Sequence, residues 1–247
     1  MKRTTRPSLS FLSCACVSAL SLALLSGCQQ SSNRANTPEA SSAATARMAN
    51  AAAPEAAIPS PTGHFDYYLF TLSWAPEYCY GHPHSPECNG SHQGSQRGFV
   101  VHGLWPQFQD GHWPSQCSNA PGLPNPSIML DIMPDPRLIA HEWATHGTCT
   151  GLTAAQYFHL VRRAYTSIKI PSALANPSHP TRKSAAEIKQ LFTNSNLGMT
   201  PEGIAISCHN RYLAGVEFCL GKTLQPITCQ AIRDCNQTSI TIPSGGR

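Results

Sequence analysis

Charge is scarce in this chain. Only 12% of its 247 residues are Asp, Glu, Lys or Arg, and the formal net charge is +4. Three of the cations, Lys2, Arg3 and Arg6, lie in the first 27 residues, which carry no acid. Without that segment Lys+Arg falls from 17 to 14 against 13 acids, a net charge of +1. A polyanionic partner would therefore be held by local charge, not by a globally basic surface. The chain also lacks an apolar run long enough to span a membrane. Phe11 to Leu25 is mostly apolar but falls short of the roughly 20 residues a spanning helix needs. Sequence repeats are absent. No Cys-x2-Cys pair is present, which weakens a zinc-finger reading.

What is present begins with an address. A charged start, an apolar middle and the small residues of Leu25-Ser26-Gly27-Cys28 have the order of a secretory signal over residues 1–27. The last four resemble the bacterial lipobox, whose cysteine is lipidated and becomes the first residue of the mature protein. An ordinary signal peptide, with Cys28 incidental, is the alternative. Gln29 after the cysteine favours an outer-membrane anchor in that resemblance. The expected location is the periplasm, as an anchored lipoprotein, or outside the cell. Residues 28–63 are Ala-, Ser- and Pro-rich without an aromatic, and read as a flexible tether. Residues 64–247 fit one domain.

Eleven cysteines less Cys14 and Cys16 in the signal and Cys28 leaves eight. An even set in an exported chain reads as four disulfides, and spacing alone cannot choose their connectivity.

The rest of the chain is organised around His141 to Cys149, His-Glu-Trp-Ala-Thr-His-Gly-Thr-Cys. Pro134 and Pro136 stop an earlier segment, and Gly147 marks a helix end. At about 100° per residue, His141, Glu142 and His146 fall on one side of a helix. That helix would bury its other face and present the trio to a cleft.

Phe65 to Trp74 reads as a core strand, and Gly98 to Pro106 as a second buried strand carrying His102 near its end. Between them lies a Cys- and Pro-rich loop, Pro76 to about Gln96. Helices follow over Thr153 to Ile168 and, behind the Ser184–Glu187 capping box, to about Phe192. Gly203 to Cys208, Tyr212 to Leu220 and Thr238 to Ile242 read as strands. The sum is an α+β domain with a mainly antiparallel central sheet flanked by helices and stapled by disulfides.

Phe99-Val100-Val101-His102-Gly103-Leu104-Trp105-Pro106, followed by His141-Glu142-Trp143 and His146-Gly147-Thr148-Cys149, resembles the two active-site segments of the ribonuclease T2 family. The resemblance covers about residues 64–235. It implies metal-free, cofactor-free cleavage of RNA, not DNA, through a 2′,3′-cyclic phosphate. It implies bridges Cys79–Cys88, Cys117–Cys149, Cys208–Cys235 and Cys219–Cys229. The chemistry needs such residues, because RNA supplies its own 2′-OH nucleophile and asks only for a base, an acid and stabilised phosphoryl oxygens. By resemblance His146 is the base, His102 the acid, Glu142 a residue that helps position a proton or His146, and His141 a phosphate contact. Trp105 and Trp113 stand at positions that stack the base 5′ to the cut, and Gln107 at one that meets base edges.

The chain departs from the family at Thr145, where a phosphorane-stabilising lysine is usual, and at Leu138, often aromatic. Protonated His141 is the nearest substitute cation. Two other classes compete. One is a zinc hydrolase, since His141-Glu142 with His146 superficially resembles His-Glu-x-x-His; its histidines are five apart rather than four. The other is an inactive RNA-binding or adhesion lipoprotein on the same fold. A monomer is expected.

Overall fold

Strand β1 (Tyr67–Trp74) is apolar on both faces, which is what a strand buried on both sides requires. Tyr68, Phe70, Leu72 and Trp74 enter the main core, and Tyr67 and Leu69 a smaller cluster behind the sheet. The computed structural model describes residues 62–88, 98–175 and 177–245. The expected signal segment, Cys28 and nearly all of the tether lie outside the described residues.

Strand β1 pairs antiparallel with β2 (Phe99–Gln107) on one side and with β5 (Tyr212–Leu220) on the other. Strand β4 (Ile204–His209) runs antiparallel to β5. A single parallel pairing, Tyr212 with Thr241, joins β5 to β6 (Ile240–Ile242), which is antiparallel to β3 (Thr181–Lys183). The order β2-β1-β5-β6-β3 leaves β2 at an edge of the sheet.

Helices cover the main-core face. Helix α3 (Ala154–Ser167) buries Tyr157, Phe158, Val161 and Ala164, and α5 (Ala185–Ser195) buries Ile188 and Phe192. Both open on a reciprocal capping box, Thr153 with Gln156 and Ser184 with Glu187. Each box satisfies two otherwise orphaned backbone N–H groups. Two prolines act differently from the expectation above. Pro76 lies in the first turn of α1 (Ala75–Gly81), which replaces the start of the expected loop. Pro136 begins α2 (Pro136–Thr145) instead of stopping a segment. A proline in the first helical turn gives up only an N–H that has no partner there. The short α4 (Ser172–Ala175) and β3 have no counterpart in the expected elements.

Four disulfides complete the frame, joining Cys79–Cys88, Cys117–Cys149, Cys208–Cys235 and Cys219–Cys229. These are the four pairs named above. The last two pin the segment after β5 to β4 and β5. Cys117–Cys149 spans 32 residues and ties the chain after β2 to the short turn that follows α2. Closing a loop of that size contributes roughly 3–4 kcal/mol on the chain-entropy account.

Candidate active site

The site begins with an irregularity in β2. Thr71 faces Gly103, yet the next residue of β1, Leu72, faces Val101, so His102 is left over in a β-bulge. The extra residue re-aims the strand. Phe99 and Val101 point into the main core, and the next core residue is Leu104, three positions on instead of two. His102 lies on the face away from Phe99 and Val101, and the bulge returns Leu104 to the core.

Its ring is held at both ends. Nδ1 lies 3.2 Å from Ser73 Oγ. Nε2 lies 3.7 Å from Glu142 Oε1. The other carboxyl oxygen of Glu142 accepts the Trp105 indole N–H at 2.6 Å. Only a glycine fits beneath this contact. A Cβ on Gly103 would stand 2.1 Å from Glu142 Oε2 and 2.2 Å from Trp105 Nε1.

Helix α2 delivers Glu142. Asp135 caps it, accepting the Arg137 N–H at 2.8 Å. The buried arc is Ile139, Glu142 and Trp143, and the Trp143 indole donates to Ala120 O at 2.8 Å. Gly147 lets the chain pass close under that ring, since a Cβ there would be 2.4 Å from Trp143 Cε3. The expected arrangement, with all three proton-bearing residues on one open face of the helix, does not occur. His141 is exposed, Glu142 is only 1% exposed, and His146 has left the helix as its C-cap residue. Helical spacing fixes angles between side chains but not which arc meets the sheet.

Trp105 sits between the two histidines. Its ring is 5.2 Å from His102, nearly perpendicular, and 5.3 Å from His146 at 31°. The Nδ1 of His146 is buried without a hydrogen-bond partner. Burial, then the neighbouring His141 and His102, pushes His146 down to about 3. Burial and His141 also lower His102. Burial pushes Glu142 up to about 8, against the opposing pull of the Trp105 N–H. At neutral pH both rings are thus neutral and the carboxyl beside His102 holds the proton.

The remaining candidates stand around this set. Thr145 is half-buried at the end of α2, and its backbone oxygen accepts the Gln116 N–H at 2.9 Å. Gln107 is buried at the end of β2 opposite Tyr67, and Trp113 is partly exposed in the segment that follows; both stand outside the joined set. Ser73 is a member that sequence reading missed; its alternation within β1 was the only signal. A cleft of about 350 Å³ opens beside His102, lined by Ser73, Tyr78, Glu87, Leu138 and His141 among others. A larger groove of about 510 Å³ lies against Pro76, Tyr80, Tyr212 and Pro243 and holds neither histidine.

Residues 65–229 match the Ribonuclease T2 family. The chain belongs to the ribonuclease T2 family. It is 40% identical over 102 residues to a ribonuclease of Aeromonas hydrophila, covering 40% of this chain and 44% of that one. It therefore spans under half the length of that relative. Ribonuclease DdI of Dictyostelium discoideum is 30% identical over 181 residues, 66% of this chain and 77% of that one. An RNase-related protein from Calystegia sepium shares the fold at TM-score 0.61 and 22% identity, covering 74% of this chain and 99% of that one.

In this T2 chain the joined set can do acid–base chemistry. One neutral imidazole can accept a proton while a second, beside a protonated carboxyl, can be supplied with one. Among the described residues, Cys79, Glu87 and Cys88 also bring potential metal donors within 4.8 Å of one another. Those two sulfurs are bonded together, so neither is a thiolate ligand.

Proposed function

We propose that this chain is an exported, monomeric endoribonuclease of low base specificity, acting on single-stranded RNA without metal or other cofactor. The observation that carries the reading is the contact of the proton-bearing Glu142 with His102, across Trp105 from a neutral His146.

His146 takes the proton of the 2′-OH, and the oxygen attacks phosphorus. The bond to the 5′-oxygen breaks, and that oxygen leaves with a proton from His102, which Glu142 supplies. The arriving phosphate favours this transfer, because an adjacent anion raises the affinity of an imidazole for its proton. The product is a 2′,3′-cyclic phosphate. In the second step His102 takes a proton from water, the hydroxide attacks phosphorus, and the 2′-oxygen leaves with the proton held by His146. This yields a 3′-phosphate.

His141, at the open edge, meets the phosphoryl oxygens. Thr145 offers them a single neutral hydrogen bond, about half as strong as one from an ammonium. Trp105, pinned by its N–H, gives a fixed platform for the base 5′ to the cut, with Trp113 as a second aromatic face and Gln107 beside base edges. Residues 1–27 act as the export signal, Cys28 as the lipid attachment point, residues 28–63 as the tether and 64–247 as the catalytic domain.

Purified protein should cut RNA and leave DNA intact, show transient cyclic phosphates, and be indifferent to EDTA. His102→Ala and His146→Ala should each lower the rate about 10²–10⁴-fold. Cleavage of DNA, or activity lost to EDTA and restored by zinc, would overturn the mechanism. Binding of RNA without turnover would leave only the inactive binding protein.

A further inference from the structure

The cleft beside His102 contains a carboxyl that the proposed reaction does not use. Glu87 is 6% exposed and lines the cleft, and no hydrogen bond or ion pair joins it to another described residue. Its carboxyl oxygens are not sealed from the cleft that it lines, so they can meet a group that enters there. The neighbouring Asp135 is already committed, since its Oδ1 accepts the Arg137 N–H and the guanidinium lies 3.3 Å from Oδ2. Glu87 lies within 4.8 Å of the Cys79 and Cys88 sulfurs, whose bridge fixes the loop that carries it.

Position identifies what enters. His102 forms part of the cleft wall, and Trp105 and His146 do not. On the reading proposed above, His102 protonates the departing 5′-oxygen. The nucleoside attached to that oxygen, 3′ to the cut, is therefore the group that reaches this side. The cleft of about 350 Å³ falls in the range of small-molecule sites, roughly 300–1,000 Å³. Leu138 supplies an apolar wall for a ring.

A carboxylate accepts hydrogen bonds and cannot donate them. Guanine is the RNA base with two adjacent N–H donors, N1–H and the N2 amino group, on one edge. We propose that Glu87 reads the base 3′ to the cut and favours guanine there. Burial, then Asp135, pushes Glu87 up to about 7, with His82 pulling the other way. Two donors arriving together favour the ionised form and bring it within reach at neutral pH.

The test compares CpG, CpA, CpU and CpC, with cytidine 2′,3′-cyclic phosphate as a reference that has no 3′ nucleoside. Each dinucleotide's kcat/KM is divided by that for cyclic phosphate hydrolysis. Wild-type protein should prefer CpG. Glu87→Gln, equal in shape but with an NH2 donor group in place of one acceptor oxygen, should lower the normalised CpG value roughly tenfold relative to CpA and CpC. An unchanged order in the variant, no CpG preference in the wild type, or a common fall on all substrates including the reference would overturn the inference while leaving the ribonuclease reading intact. Wild-type protein that cleaves none of the substrates would overturn both.

Discussion

A nearly inaccessible carboxyl beside the His102 imidazole couples this protein's stability to pH. Glu142 is pushed up to about 8 by burial, whereas an unfolded glutamate titrates near 4.3. The folded state therefore binds this proton more tightly than the unfolded state. Its contribution is full below about pH 4.3 and lost as pH rises towards 8. His146 acts in the opposite sense. It is pushed down to about 3, so its contribution is present above roughly pH 6.5 and is lost as pH falls towards 3. Glu142→Gln removes the first effect. In urea unfolding, the stability of Glu142→Gln relative to wild type should rise between pH 5 and pH 8, by on the order of 2–4 kcal/mol. Parallel stability curves would mean that Glu142 carries no buried proton. At this scale the sequence was informative about residue type. His141, Glu142 and His146 could be picked out because few folds need such groups so close in sequence, and His102 through the resemblance of its segment to the family. Ser73 and Glu87 could not, because one serine and one glutamate carry no distinctive local signal.

At the scale of elements, the site depends on a bulge and a helix end. The bulge leaves His102 without a partner on β1, and Gly103 beside it leaves room for the Glu142–Trp105 hydrogen bond. Gly103→Ala would put a methyl group against two side-chain ends while leaving the backbone pairing alone. The fold should survive, with an unchanged far-ultraviolet circular dichroism spectrum, and RNA cleavage should fall by about 10²-fold. A displacement of about 1 Å at a reacting group costs that much. Full activity in Gly103→Ala would show that Glu142 need not sit where it does. Helices α3 and α5 and strands β1, β2, β4 and β5 were legible from apolar periodicity and capping boxes. Helix α1 was not, because its Pro- and Cys-containing stretch carries loop signals, and its burial comes from the sheet it touches. Strand β3 is three residues long and exists through its pairing with β6.

For the whole molecule, the proposed location and the proposed catalysis rest on different residues. The net charge of about +1 after loss of residues 1–27 gives no general attraction to a membrane or to RNA. On the proposed lipidation, attachment would rest on Cys28 alone, and no helix among the described residues is long and apolar enough to cross a bilayer. Cys28→Ala should move the protein from the membrane fraction to the soluble fraction with its specific activity retained. A wild-type protein already in the soluble fraction would point instead to an ordinary signal peptide.

The sequence by itself determined the chemistry available to this protein. Two histidines and a glutamate in two long motifs, with the order of the eight cysteines around them, placed the chain in its family, because residue type and order survive without coordinates. What only the tertiary structure decided is which groups meet. Glu142 and His102 are forty residues apart and lie on different elements, and their 3.7 Å approach depends on a bulge and on which arc of α2 faces the sheet. The proton's position also awaited the fold, since it is set by removal from water, and burial is a property of packing that no local stretch of sequence contains.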